Sequence, residues 1–458
     1  MHPKLSFEQA PPISVPFRFF LTAPLFGIAA GLLLTLKGGE GWATRWNADV
    51  LAFTHLLSAG FMLQTMCGAL LQFIPVATGG NIWQPRWVAH VIHPLMTLAA
   101  MLLVSAFILP DRDLFLPAGS LFLAGLLPFI LISGWAMWHT PAQGATLPTL
   151  RLALAGLFMT LLAGLILTLI LGGQLTTGTF PGLPLPTLAN IHAGWGMGGW
   201  ALLLVMGVSY LVVPMFQLTP AYPLLAARLL PLSLLAVLLF WTILPFFYDS
   251  PGMPWAGFTG LAVASIYAGI TLHLQKRRRR RVTDVTLLYW RIAMASLLAV
   301  FVSWLVLQLL PSLGQHPRAL LWPGVLVFMG VFVSAISGMI YKIVPFLIWL
   351  HWQQLGQMKT LPPNMKQIIS EKNMRGQLAA HLVALALLLA MQVWPSLARL
   401  AGLAMILSFA WLEWNLVRSV RLYLDFRRRV LDTRVLDESA RPVSSADRTD
   451  ADGERRVP

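Results

Sequence analysis

Leu51 to Pro75 reads LAFTHLLSAGFMLQTMCGALLQFIP, a long apolar segment with His55 near its start and Gly68 seven residues before Pro75. The pattern recurs at Asn190 to Pro214, NIHAGWGMGGWALLLVMGVSYLVVP, with His192 near its start and Gly207 seven residues before Pro214. It recurs again at Pro323 to Pro345, PGVLVFMGVFVSAISGMIYKIVP, where Gly338 keeps the interval but no histidine stands at the start. The three prolines, Pro75, Pro214 and Pro345, are 139 and 131 residues apart. A period of that size lies outside the solenoid range and points to internal symmetry in a membrane bundle.

The rest of the composition agrees. Of 458 residues, 57% are hydrophobic and 11% charged. Repeated apolar runs of about 18 residues or more mark membrane-spanning helices. Twelve such runs are predicted, at 17–36, 50–74, 87–109, 115–138, 150–171, 187–213, 229–247, 255–274, 286–310, 321–350, 377–394 and 397–424. The expected fold is therefore an all-α integral membrane protein of about 12 transmembrane helices in three pseudo-symmetric four-helix repeats. The quoted stretches are spans two, six and ten. Residues 1–16 are expected to be an N-terminal segment, 17–426 the membrane domain and 427–458 a charged, disordered tail.

The net charge of +15 does not point to nucleic acid. With the N-terminus inside, 25 of the 32 lysines and arginines fall on the cytoplasmic side and 5 (Lys37, Arg45, Arg112, Arg318 and Arg399) on the other. That is the positive-inside distribution, with both termini cytoplasmic. The run Lys276–Arg281 then reads as a topology signal that also touches anionic lipid. Cys67 is the only cysteine and lies mid-span, which excludes an intramolecular disulfide or a thiolate cluster. The Pro-rich first sixteen residues lack the apolar core of a cleavable signal, so span one is expected to be a retained anchor. Trp42 and Trp46 fit an interfacial aromatic belt. The uncharged loop Gly172–Pro186 fits a cap over a buried cavity.

Ionisable groups within a bilayer are costly and mark function by default. Glu413 is the only carboxylate well inside a predicted span, which disfavours carboxylate-relay ion transport. Histidines are commoner, and neutral imidazole ligates haem iron or copper. His55 and His192 stand at matching depths, 20 and 22 residues before their prolines. The bland reading has each bonding a loop carbonyl; the sharper one makes both cofactor ligands. The glycines Gly194, Gly196, Gly198 and Gly199 strip a helix surface that suits a flat macrocycle or another helix. His90 and His93 share a helix face at i, i+3 and can ligate one metal, flank a propionate or simply sit at a solvated end. Lys342 and Gln72 each lie three residues before their proline; with Gln64 they either form a polar path or are interfacial. His139, His273, His351 and His381 read as interfacial, and His316 as an external-loop residue within reach of the His55–His192 side.

Twelve spans, three copies, an inside N-terminus and histidines on spans two and six together resemble the haem–copper oxidase subunit I superfamily over roughly residues 15–425. That resemblance implies haem ligation by His55 and copper ligation by His192. Span ten has no histidine pair and span seven no adjacent histidines, so oxygen reduction is not expected, and whether the chain is an oxidoreductase of another kind stays open. The chain is more similar to the NnrS-type haem- and copper-containing membrane proteins associated with nitric oxide resistance, through Phe17-Arg18-Phe19-Phe20-Leu21 and the His55–Pro75 stretch. Phe53 stands where that family has a second nearby histidine. The resemblance implies a bacterial-type inner-membrane protein with haem, and copper as a second candidate (His192, His90 and His93), in nitric oxide or respiratory metabolism beside respiratory or denitrification subunits. The rival readings are a permease, or a metal-delivery or assembly partner of an oxidase without haem of its own.

Overall fold

A computed structural model describes residues 7–140, 144–178, 182–247, 253–279, 282–354 and 364–439. Among them there is no strand, and twelve helices are long and apolar enough to cross a membrane. They are α1 (Ser14–Lys37), α2 (Ala48–Thr78), α3 (Pro85–Ile108), α4 (Arg112–Trp138), α5 (Thr146–Leu171), α6 (Leu185–Gln217), α7 (Leu224–Phe246), α8 (Gly257–Lys276), α9 (Val285–Leu309), α10 (Leu321–Gln353), α11 (Glu371–Ala390) and α12 (Pro395–Asp432). The protein is a multi-pass, all-α membrane protein. Its outward leucines and aromatics, such as Leu25, Leu225 and Trp138, face lipid rather than water.

The repeat has a physical basis. The most apolar stretches of α2, α6 and α10 are 78%, 67% and 72% buried by protein, against 56% or less in the other nine helices. These three form the inner layer, and the others surround them. The glycine seven residues before each proline lets the first helix of its own copy approach closely. A Cβ at Gly68 would come 2.6 Å from Phe19 Cβ, one at Gly207 3.1 Å from the Leu150 side chain and 3.2 Å from Thr149, and one at Gly338 2.7 Å from Tyr289 Cβ. Eight residues earlier a second set, Gly60, Gly199 and Gly330, does the same against Phe26, Gly156 and Ser296. Those partners lie seven residues after Phe19, Thr149 and Tyr289, so each copy uses two contacts in one register. Without a hydrophobic force between helices in lipid, such small-residue contacts carry much of the packing. The ring of helices closes where Gly31 on α1 meets Gly402 on α12.

Each inner helix is also wound as a π-helix at the matching place: 56–62 in α2, 195–202 in α6 and 326–333 in α10. A π stretch inserts residues into an α-helix and re-aims the side chains around it, and it recurs at functional sites. The last helix departs from expectation. The helix that begins at Ala398 runs unbroken to Ser439, so residues 427–439 are helical where a disordered tail is expected. The remainder of that tail, 440–458, lies outside the described residues.

Candidate functional site

α2, α6 and α10 run parallel, and their N-terminal halves enclose a cavity of about 550 Å³. That is within the range of small-molecule and cofactor sites. All three π stretches border it, through Ser58, Ala59 and Met62, then Gly196, Met197 and Trp200, then Val327, Phe328 and Met329. α3, α4 and α5 add Phe107, Phe122 and Leu161 among others, and Leu185 reaches in from the start of α6. The wall is apolar apart from a few groups, chiefly His55, His192, Arg45, Asn190 and Thr160, and it carries no Asp or Glu.

His55 and His192 face each other in this cavity. Their ring centres are 6.4 Å apart with planes at 19°. The His55 Nδ1–H donates to the Leu51 carbonyl at 2.7 Å and the His192 Nδ1–H to the Thr160 carbonyl at 3.1 Å. A carbonyl only accepts, so each ring is held as the Nδ1–H tautomer with its Nε2 lone pair free. This is the second-sphere hydrogen bond by which proteins orient ligating imidazoles. Phe107 stacks on His55 at 5.3 Å, and Gly164 on α5 makes room for His192, since a Cβ there would lie 3.0 Å from Cε1.

The arrangement can be tested against a metal. An imidazole nitrogen ligates at about 2.0–2.1 Å, so a metal sits roughly 3 Å from the ring centre and two opposed imidazoles stand roughly 6 Å apart. The observed separation matches in length, and ligation further requires the two rings, stacked at 19°, to turn so that both Nε2 atoms point at the metal. A bare metal held by protein alone needs three or four ligands. No group of three His, Cys, Asp or Glu capable of holding one occurs among the described residues. Two imidazoles leave a metal's remaining positions to ligands from outside the chain, of which the macrocycle of haem is one.

No family model matches the chain, and no curated protein is significantly similar to it.

The remaining sequence candidates are placed elsewhere. His90 and His93 begin α3, at the end of the bundle opposite His55. Both turn toward α1, where His90 Nε2 accepts from the Arg18 guanidinium at 2.6 Å and His93 Nε2 contacts the Thr22 hydroxyl at 2.8 Å. Neither borders the cavity, so the His90–His93 pair stands apart from His192, as their depth along the sequence implies. Of the glycine run, only Gly196 faces the cavity: Gly199 packs on α5, and Gly194 and Gly198 on Trp241 and Leu238 of α7. The expected path Gln64–Gln72–Lys342 is not continuous. Gln64 donates to Thr97 on α3 at 3.1 Å, Gln72 lines a separate apolar pocket of about 130 Å³ between the C-terminal halves of the inner helices, and Lys342 pairs with Asp284 at 3.2 Å. His139, His273 and His316 are exposed and His351 half-buried. His381, expected at an interface, is fully buried and bonds Ser334 on α10 at 2.8 Å. It belongs to a polar seam of the third copy in which Tyr289 meets Gln377, and Tyr341 accepts from Asn415 at 2.9 Å.

Asp284 was not singled out from sequence. It caps α9 by accepting from the Leu287 N–H at 2.9 Å and the Thr286 hydroxyl at 2.8 Å while facing Lys342. Burial pushes its carboxyl up, but the Lys342 ammonium and these two donors outweigh burial and hold it below its ordinary value of 3.8. A carboxyl depressed on folding stabilises above its ordinary range and loses that contribution as pH falls through the folded value. Asp284→Ala is expected to lower stability by about 1–2 kcal/mol at neutral pH, from the lost cap and pair. Asp284→Asn keeps the cap acceptor and is expected to recover about half. Asp284→Asn is expected to converge on the wild type in acid, as pH falls through the depressed value of the folded carboxyl, while Asp284→Ala keeps the deficit of the lost cap, read as thermal midpoints across a pH series.

Proposed function

We propose that this protein holds one haem in the cavity at the N-terminal ends of α2, α6 and α10, where His55 and His192 would be the residues that hold it. One observation carries the reading: two histidines 137 residues apart in sequence line the same apolar cavity with their ring centres 6.4 Å apart and only Nδ1 engaged by protein. The orienting carbonyls of Leu51 and Thr160 fix the tautomer, the phenyl ring of Phe107 holds the His55 plane, and the apolar wall keeps water from the ligands. Haem supplies one-electron redox chemistry and, where a ligand leaves, a seat for a diatomic gas. The likeness to NnrS-type proteins and to oxidase subunit I adds the setting: nitric oxide or respiratory metabolism in a bacterial-type inner membrane, both termini cytoplasmic and the cavity toward the outer face, beside respiratory or denitrification subunits. Copper remains the second candidate, at His192 or at the His90–His93 pair.

The test is a reduced-minus-oxidised optical spectrum of detergent-purified protein, with iron and copper measured on the same sample. Sharp haem bands with about one iron per chain are expected. A featureless spectrum and no iron, after expression with ample haem supply, overturns the reading and moves attention to transport and partner binding.

A further inference from the structure

Three buried N–H groups on the cavity wall have no acceptor: Arg45 Nε, Trp42 Nε1 and Trp200 Nε1. Buried donors are nearly always bonded in native proteins, so each unpaired one asks for a partner. Trp200 lies two turns into α6 beyond His192. Trp42 and Arg45 lie together in the loop that leads into α2, at the mouth beside His55.

That loop is built to hold them. Trp42 is only 4% exposed and packs edge-on against Phe53, ring centres 4.7 Å apart. The Arg45 guanidinium lies over the Trp46 ring at 4.2 Å, a contact that fixes the head without neutralising it. The nearest acid in sequence, Asp49, is engaged by Lys37 at 3.5 Å. Arg45 has no ion pair among the described residues, and no Asp or Glu borders the cavity. Burial already lowers the arginine's hold on its proton. A half-buried cation without a counter-charge is unfavourable, and a carboxylate is its usual complement. The mouth therefore offers unpaired donors and a positive charge without a matching acid, and most of the deeper wall is apolar. What fills such a cavity has an apolar body and an acidic end.

We propose that Arg45 and Trp42 form a carboxylate seat at the mouth of the cavity, and that its occupant is an amphiphile that puts an acid group there and its apolar body among the inner helices. Where that occupant is the haem of the preceding reading, the seat orients it by its acidic edge. The seat itself follows from the unpaired donors and not from the histidines, so the two readings fail separately.

The experiment compares an acid with its own ester. Full-length protein, expressed under haem limitation and purified in a maltoside detergent free of phosphate, is titrated with protohaem and its dimethyl ester, and with palmitic acid and methyl palmitate. The wild type is expected to bind the acid of at least one pair about ten- to a hundredfold more tightly, the range of one charge-assisted hydrogen bond. Arg45→Gln is expected to abolish the preference, Arg45→Lys to keep part of it, and Trp42→Phe to weaken acid binding severalfold. Monodisperse elution of Arg45→Lys shows that the loop still folds. Equal binding of acid and ester in both pairs, no binding of either pair, or a preference that survives Arg45→Gln overturns the seat; in the last case the arginine serves a lipid headgroup. Haem binding without acid preference leaves the haem reading standing while the seat falls. Palmitate preference without haem binding does the reverse.

Discussion

His55→Ala and His192→Ala are each expected to cut haem iron per chain at least about tenfold, while His90→Ala and His93→Ala leave it unchanged. The magnitude follows from outer-sphere partners alone being worth about ten- to a hundredfold in metal affinity, with the ligand itself worth no less. Both rings border a cavity rather than a packed core, so truncation opens no new void in close-packed protein and is expected to cost little stability. Loss of iron in a variant that still elutes as a single species therefore reports on ligation and not on folding. Gly164→Ala grades the same geometry. Its Cβ would stand 3.0 Å from His192 Cε1, so the ring must yield by a few tenths of an ångström. Iron is expected to stay, with shifted absorption bands and a lower affinity. Exogenous imidazole is expected to restore part of the spectrum of either alanine variant, because the space left is the space an imidazole fills. Unchanged iron in both alanine variants would remove these residues from cofactor binding altogether.

How far the sequence could be read depended on what kind of fact was sought. The twelve spans follow from length and apolarity, and the threefold repeat from the Gly–Pro interval, because both are properties of single helices. The second glycine set, Gly60, Gly199 and Gly330, was equally legible: each stands fifteen residues before its proline. The π windings were not, since no local residue pattern announces them. Nor was the cavity, because leucines that line a void and leucines that fill a core look alike in a string of letters. The path through Gln64, Gln72 and Lys342 shows where symmetry misleads. Equivalent positions on pseudo-symmetric helices need not meet: His55 and His192 do, but Lys342 pairs with Asp284 of its own copy rather than with Gln72. His381 was misplaced for a simpler reason. α11 begins at Glu371 rather than near Gln377, which puts His381 ten residues, roughly 15 Å, into the helix. Trp42 and Arg45 read as an ordinary interfacial belt and loop charge, because pairing and its absence are tertiary facts.

The other large effect concerns the wall itself. Gly156→Ala is expected to destabilise the protein by about 3 kcal/mol or more, at the upper end of overpacking costs. A Cβ at this position would overlap the Gly199 carbonyl, and a backbone group cannot rotate aside as a side chain can. α5 and α6 must separate. Gly199 lies within the π stretch 195–202, which carries Met197 and Trp200 on the cavity wall and follows His192 by three residues. Separation therefore displaces the ligand as well as the packing, and any bound cofactor is expected to be lost along with stability. The symmetry supplies graded comparisons. At Gly330 the obstacle is the Ser296 side chain: its hydroxyl oxygen can rotate aside, but its Cβ, which would lie 2.7 Å away, moves only with the backbone, so Gly330→Ala is expected to cost less than Gly156→Ala without being neutral. At Gly260 on α8 the nearest atom would be a Val237 methyl at 3.5 Å, an ordinary contact. There alanine is expected to raise stability by up to about 1 kcal/mol through helix propensity. The decisive comparison is the thermal midpoint and monodisperse yield of Gly156→Ala beside Gly260→Ala. Equal melting of the two would mean that α5 and α6 do not depend on this contact, and that the inner helices are held in register by something other than their glycines.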